Sequence, residues 1–420
     1  MSNTNEKPTV LIVGAGLGGL MLGALLEKSG VPYNIFERAA SVKPLGSAMS
    51  VGPTLLPIFQ QLGIYDEILS IGKYITHTET HQESLVPYRP TDYRPIEDYT
   101  GYGQYIVARP KYYDIMLKLI PPHKIHFGKR VLNISEDENK ANIHLSNNEM
   151  FQGDIVVGAD GAYSAVRQRM YEQLKAKGKL PREDQEDLPF SCTCLVGQTK
   201  VLDPEEFPCI KDPICQFRVV FGEERPFSTM CDETRNFGVP LSDGKKRTLG
   251  DLYDLTPKDL ISKVMLEEKV FKTWHNGRTV LLGDACHKLS PTGGHGAVTA
   301  MHDAIALANL IYAVPTTNSV DLTKIFEEYQ KERIPAVMAS YNHSQLMSKI
   351  MDRGIEGAVI LWLYTHIPFW LWKLVTVRYR PQVGFLKPIP LKGSIVPFES
   401  SSEFKARAAF AQQTRCVASI

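Results

Sequence analysis

The sequence lacks the marks of a metal or disulfide scaffold. Its seven cysteines, an odd number, fall at positions 192, 194, 209, 215, 231, 286 and 416, and no two have Cys-x-x-Cys spacing. No set of cysteines and histidines has ligand spacing either. A bound metal is therefore not expected, and the thiols read as reduced, in a reducing compartment. An excess of one charge is missing as well: 47 Lys and Arg stand against 46 Asp and Glu, a net of +1. That balance supplies neither a nucleic-acid footprint nor a polybasic membrane clamp. The opening residues MSNTNEKP are polar, and the first apolar run, Thr9 to Val13, is too short for a secretion signal. A cytoplasmic protein is expected. There is no internal repeat and no low-complexity tract.

What is present is globular in character. Of 420 residues, 43% are apolar and 22% charged, enough to bury a sizeable core in two or three domains. Val10-Leu-Ile-Val13 is a short, continuous, β-branched run, the pattern of a buried parallel strand. Gly14-Ala-Gly16-Leu-Gly-Gly19 follows. Helical periodicity then runs from Leu20 to Lys28 and stops at Ser29-Gly30. Tyr33 to Phe36 reads as a second strand, ending at Glu37.

A Gly-x-Gly-x-x-Gly pattern alone is weak and can be an ordinary loop. Here a strand precedes it, a helix follows, and an acid ends the next strand, which points to a nucleotide. Gly14 allows the tight turn, Gly16 lets a pyrophosphate approach the backbone, and Gly19 lets the helix pack on the strand. The helix start offers free N–H groups and a positive dipole end. A carboxylate at Glu37 suits an unphosphorylated ribose, hence NAD or FAD rather than NADP.

Two further patterns follow. Val156-Val-Gly-Ala-Asp160-Gly161 is a strand running into a glycine turn, with a carboxylate where a doubly wound sheet faces its ligand crevice. The same Asp-Gly pair is equally an ordinary turn. The third pattern starts with the strand-like Arg278-Thr-Val-Leu-Leu and continues as Gly283-Asp284-Ala-Cys-His287. It runs through Pro291 and a glycine-rich stretch to His295-Gly296-Ala297, and a long apolar helix candidate extends to about Tyr312.

Together, in this order, the three patterns resemble the FAD-dependent aromatic hydroxylase family, of which para-hydroxybenzoate hydroxylase is a familiar member. They are most similar to fungal FAD-binding monooxygenases of secondary metabolism. The resemblance spans about residues 8–345 and is weakest in the middle. It implies an α/β fold: a Rossmann-type FAD-binding domain with an inserted β-rich substrate domain and a C-terminal helical segment. On that basis residues 1–186 and 275–345 form the FAD-binding domain, 187–274 the substrate domain, and 346–420 the apolar helical segment and tail.

Site roles carried over from the family are likewise implied. Gly14, Gly16 and Gly19 would hold the pyrophosphate, and Glu37 the adenosine ribose. Ala48 would lie near the flavin, and Arg109 would reach the FAD. Asp160 and Gly161 would support both FAD and pyridine nucleotide. Asp284 would bond the ribityl chain, and Gly296 and Ala297 would give N–H groups to the flavin N1/O2 edge. Three positions depart from the family pattern: Cys286 replaces a usual Ala, His295 a frequent Gln and Val298 a frequent Asn. His287 and His295 read as local loop contacts.

The implied activity uses FAD, with NADPH or NADH as reductant, to transfer one oxygen atom of O2 to a small, largely apolar or aromatic substrate by hydroxylation or epoxidation. The cofactor does the hard step and the protein orients the substrate. No catalytic residue is singled out. The alternatives are an FAD oxidoreductase without oxygen insertion, a non-catalytic FAD-binding redox protein, and a halogenase. The halogenase reading is weakened because Arg235-Asn-Phe237-Gly-Val-Pro240 has neither Trp of the halogenase motif.

Four expectations remain. The region 74–104 looks loop-like. Ile125–Phe127 and Ile143–Leu145 look like strands of one small meander. The tail from Glu399 onward reads as poorly ordered. Residues 357–377 include an apolar stretch with three Trp, followed by Lys373 and Arg378. It falls short of the roughly 20 residues needed to span a bilayer. It suits a helix packed on the body, or a contact with a membrane surface.

Overall fold

The computed structural model describes residues 7–41, 48–82, 86–87, 90–206, 211, 213–215, 217–221, 228–231, 254–291, 294–351, 354–366 and 379–418. β1 (Val10–Val13) runs into α1 (Leu17–Ser29) and β2 (Tyr33–Glu37). Then come β3 (Ala48–Val51), α2 (Leu56–Leu62), α3 (Tyr65–Ile71), β4 (Gly72–Tyr74), β5 (His77–Gln82), β6 (Thr91–Asp92) and α4 (Arg94–Thr100). β7 (Tyr105–Ala108) leads into α5 (Arg109–Lys118) and β8 (Ile125–Phe127). β9 (Val131–Glu136), β10 (Ala141–Leu145) and β11 (Met150–Gly153) precede β12 (Ile155–Gly158), α6 (Ala165–Ala176) and the short α7 (Arg182–Gln185). The middle carries β13 (Phe190–Val196), β14 (Phe217–Phe221), β15 (Ser228–Cys231), β16 (Ser262–Glu267) and β17 (Lys269–Val270). The chain continues with β18 (His275–Asn276), β19 (Thr279–Leu281) and β20 (His287–Lys288). Four helices follow: α8 (Gly296–Ala313), α9 (Ser319–Met351), α10 (Ile355–His366) and α11 (Ser401–Ala418).

The core is a six-stranded sheet in the order β18-β19-β12-β1-β2-β8, parallel except between β18 and β19. Val10 pairs with Ile155 on one side and Tyr33 on the other. Both neighbours cover β1, so all four of its residues are buried, which is why they read as an unbroken apolar run. α1 packs on α8, and Leu20, Met21, Leu22, Leu25 and Leu26 are fully buried. Each such side chain contributes roughly 1.5–3 kcal/mol of transfer free energy. The mixed α/β architecture agrees with the expected class.

Several expectations need correction. Ile125–Phe127 belongs to the main sheet, where Ile35 pairs with Ile125, and not to the meander, which is β9-β10-β11. The stretch 74–104 is not loop: it carries the end of β4, then β5, β6 and α4. Its elements are two to seven residues long and polar, so no apolar period marks them. β5 pairs in parallel with β14, Thr78 opposite Phe217, in a four-stranded sheet ordered β15-β14-β5-β6. The tail is ordered as α11, with Ser402, Glu403 and Ala406 buried. The halogenase comparison at Arg235–Pro240 lies outside the described residues.

Candidate functional site

Four neighbouring strand ends carry most of the residues singled out in the sequence. In the order β19, β12, β1, β2 they lead into Gly283-Asp284, Asp160-Gly161, Gly14–Gly19 and Glu37. In doubly wound sheets the crevice outside these ends is the ligand site.

Gly14 has φ +108°, and a Cβ there would lie 2.4 Å from the Ala159 carbonyl oxygen. A Cβ on Gly19 would lie 2.1 Å from the Gly14 carbonyl oxygen. Both positions exclude a side chain by packing. Gly16 is different: nothing lies within 4 Å of its would-be Cβ, so that flank is open. Gly16 is the N-cap of α1, which has no side-chain cap and no acid in its first turn. The helix therefore offers its first N–H groups and the positive end of its dipole.

Glu37 braces this turn. Its carboxylate accepts the Ala15 and Ala39 N–H groups, each at 2.9 Å. Each oxygen keeps a lone pair for a further donor such as a ribose hydroxyl. Asp160 Oδ2 accepts the Ala165 N–H at 2.7 Å and the Val166 N–H at 3.3 Å. Its Oδ1 is buried and has no partner among the described residues. Burial pushes the Asp160 carboxyl up. The Asp160 backbone touches the glycine turn, since a Cβ on Gly14 would meet its Cα at 2.8 Å.

Asp284 is half-buried and holds Lys288 at 3.0 Å. Arg167 of α6 is buried and donates to the Ala162 carbonyl at 2.6 Å and the Ala285 carbonyl at 2.8 Å. It thereby ties the Asp160-Gly161 turn to the Gly283-Asp284 turn. Gly296 and Ala297 begin α8, which also has no side-chain cap and no acid in its first turn. No atom lies within 4 Å of a Cβ on Gly296. His295 precedes it and meets His343 edge-on at 5.1 Å between ring centroids.

Ala48 and Arg109 stand apart: Ala48 is on the three-stranded sheet β3-β7-β4, and Arg109 opens α5 directly after β7. Ala48 pairs with Ala108, next to Arg109. Arg109 is exposed and has no ion pair among the described residues. A link to α8 exists: His302 Nε2 bonds the Thr54 carbonyl, just beyond β3, at 3.1 Å.

The sequence reading missed a buried charge network. Asp303 of α8 is 0% exposed and Arg333 of α9 is 1% exposed, with 2.6 Å between them. Asp303 also takes His287 Nε2 at 2.5 Å and the Gly283 N–H at 3.2 Å. Burial alone would raise the Asp303 carboxyl, but the charges of His287 and Arg333 and their hydrogen bonds hold it down at about 2. Burial, together with the charge of Arg333, pushes His302 down to about 3, so its ring is neutral. Cys286, His287 and Asp303 bring ligand-type atoms within 4.8 Å of one another. Arg333 occupies one Asp303 oxygen, and His287 and the Gly283 N–H occupy the other, so these groups form a hydrogen-bond network. Asp303 stood in the apolar helix pattern. Arg333 lies 30 residues on, and no local spacing links the two.

These features fit a flavin nucleotide: an open glycine turn at a helix start, an orphaned buried acceptor on Asp160, and a second uncapped helix start at Gly296. The FAD binding domain family matches residues 7–191 and 248–344. The chain belongs to that family. It is an FAD-dependent monooxygenase. Among relatives, the FAD-dependent monooxygenase ausM of Aspergillus calidoustus is 28% identical, covering 84% of this chain and 82% of that protein. The FAD-dependent monooxygenase paxM of Penicillium paxilli is 26% identical over 82% of this chain and 79% of that protein. The fold is shared with Klebsiella pneumoniae HpxO, solved with FAD and uric acid (TM-score 0.64, 18% identity, 87% of this chain and 94% of that one). It is shared also with Pseudomonas aeruginosa PqsL (TM-score 0.65, 18% identity, 84% and 99%).

Proposed function

We propose that this monooxygenase uses NAD(P)H and O2 to hydroxylate or epoxidise a small, largely apolar organic molecule. When bound, FAD supplies the electron transfer and oxygen activation, and the protein supplies binding and orientation. In this reading Gly14, Gly16 and Gly19 hold the pyrophosphate, Glu37 the adenosine ribose and Asp284 the ribityl chain. Asp160 and Gly161 support FAD and the pyridine nucleotide. Ala48 of β3 and Arg109 at the start of α5 approach the flavin from beside the main sheet. Gly296 and Ala297 give N–H groups to its N1/O2 edge, where the α8 dipole favours negative charge. Residues 1–186 and 275–345 then make the cofactor domain, 187–274 the substrate cover and 346–420 the C-terminal segment.

One observation carries the reading. Gly16, Gly161 and Gly296 each have no atom within 4 Å of a would-be Cβ, while Gly14 and Gly19 are blocked by neighbouring backbone. Gly16 and Gly161 follow the carboxyl ends of the interior strands β1 and β12, and Gly296 opens α8; the blocked pair only shapes the turn.

The test is the visible spectrum of the purified protein, followed without oxygen as NADPH or NADH is added. A flavin spectrum that bleaches and returns with O2 is expected. Incorporation of one labelled oxygen atom from O2 into an apolar substrate then completes the assignment. Reduction and reoxidation with no label in any product, across a broad apolar panel, would favour an oxidoreductase without oxygen insertion.

A second observation favours contact with a membrane surface through residues 357–377. No helix among the described residues is long and apolar enough to cross a membrane. Yet Val359, Trp362 and Leu363 of α10 are 52%, 59% and 51% exposed. Apolar side chains so placed, with Lys373 and Arg378 close behind in sequence, suit an interfacial helix. Trp362→Glu combined with Leu363→Glu is expected to lower co-sedimentation with anionic phospholipid vesicles by roughly tenfold. Equal sedimentation of variant and parent would remove this reading.

A further inference from the structure

One buried polar chain runs beneath three of the segments assigned to the cofactor. It starts at Gly283, beside Asp284, whose N–H enters the Asp303 carboxylate together with His287 Nε2. The other carboxylate oxygen takes Arg333 Nε–H at 2.6 Å. Arg333 continues outward: Nη1 donates to Tyr379 Oη at 2.6 Å, and Nη2 to the Thr299 carbonyl at 3.5 Å. Thr299 lies two residues beyond Ala297, in the first turn of α8. The Tyr379 ring meets His302 edge-on at 5.1 Å. His302 Nε2 reaches the Thr54 carbonyl at 3.1 Å, three residues past β3, which carries Ala48. A carbonyl partner means that Nε2 holds the proton.

Stability alone does not call for such a chain, because replacing a buried ion pair by well-packed apolar residues is often neutral or stabilising. What a guanidinium fork and a carboxylate supply is direction: their donors and acceptors fix the angles between the segments they join. We infer that Asp303, Arg333 and Tyr379 are positioning residues that hold the Gly283-Asp284 turn, the start of α8 and the end of β3 in register for the cofactor, with the Tyr379 hydroxyl closing the chain. This rests on the cofactor assignments proposed above. Tyr379 lies beyond the matched residues 248–344, so the C-terminal segment contributes to the site from outside the family domain.

Tyr379→Phe is the decisive variant, because it keeps the ring and removes one hydroxyl from Arg333. Three quantities are compared with the parent: the FAD dissociation constant by titration of the apoprotein, the visible circular dichroism of bound flavin, and amide exchange of residues 283–287 in the apoprotein. The expected result is a roughly tenfold weaker FAD complex, an altered flavin dichroism and faster exchange, with little change in apoprotein melting temperature. Arg333→Lys keeps the charge but loses the fork, and should move the same readouts further. If it fails to fold, Tyr379→Phe decides alone. Unchanged FAD affinity and dichroism in Tyr379→Phe would overturn the inference, whatever the melting temperature does. If the parent itself binds no FAD, the cofactor assignments fail, and unchanged exchange at 283–287 would then overturn the positioning role separately.

Discussion

Asp303→Ala is expected to cost about 3–5 kcal/mol of folding stability, because it breaks a buried ion pair. The carboxylate neutralises Arg333 at 2.6 Å where both side chains are buried, and removing it leaves a buried guanidinium facing only Tyr379 and one carbonyl. The Gly283 N–H and His287 Nε2 lose their acceptor in the same step. A double replacement, Asp303→Leu with Arg333→Met, should recover much of that loss, because the cost lies in the unpaired charge and not in the missing attraction. Denaturant unfolding of the parent and the two variants measures both statements, and a double variant as unstable as Asp303→Ala would refute the second. Acid provides an independent check. The Asp303 carboxyl is held at about 2 in the folded chain, below its ordinary 3.8. A depressed carboxyl contributes stability that is present above the unfolded value and lost as pH falls through the folded one. Between about pH 4 and pH 2 the parent should therefore lose stability that Asp303→Ala no longer has to lose.

How much of this was legible in the sequence depended on whether the signal was local. β1, the glycine turn and α1 follow each other within 20 residues, and each carries its own period or turn residue, so they were readable. Asp160 and Asp284 were readable because each ends an apolar strand. α11 was not. Its buried face is Ser402, Glu403 and Ala406, while Phe404 and Phe410 point outward, 61% and 42% exposed. Ser402 N–H and Oγ both bond the Glu332 carboxylate, so hydrogen bonds rather than an apolar stripe seat this helix. β5 was equally hidden: its residues are HTETHQ, and its partner β14 lies well over a hundred residues on. The Asp303–Arg333–Tyr379 chain failed for the same reason. Its members are 30 and 46 residues apart, and burial, which makes the pairing obligatory, is invisible until the helices are packed.

The glycine turn separates what the fold requires from what the ligand requires. At Gly14 a side chain runs into the backbone of the neighbouring turn: the Ala159 carbonyl oxygen at 2.4 Å, its carbon at 2.6 Å and the Asp160 Cα at 2.8 Å. None of these atoms can rotate away, and φ is +108°, a conformation that L side chains rarely adopt. Gly14→Val must therefore push β1 and β12 apart at their carboxyl ends or change the turn itself. It is expected to cost about 3 kcal/mol or more and to lower FAD affinity at least about a hundredfold. Gly16→Ala makes the opposite case. Its φ is −71° and its flank is empty, so a methyl group meets no backbone, and the cost is only that alanine is a poorer N-cap than glycine. Its stability should fall by no more than about 1 kcal/mol, while a methyl group fills the flank that a pyrophosphate would approach. A stable Gly16→Ala protein with weakened FAD binding places the phosphates against that flank. If the same protein binds FAD as tightly as the parent, the pyrophosphate lies elsewhere, and the open glycines at 161 and 296 need another explanation than the one proposed here.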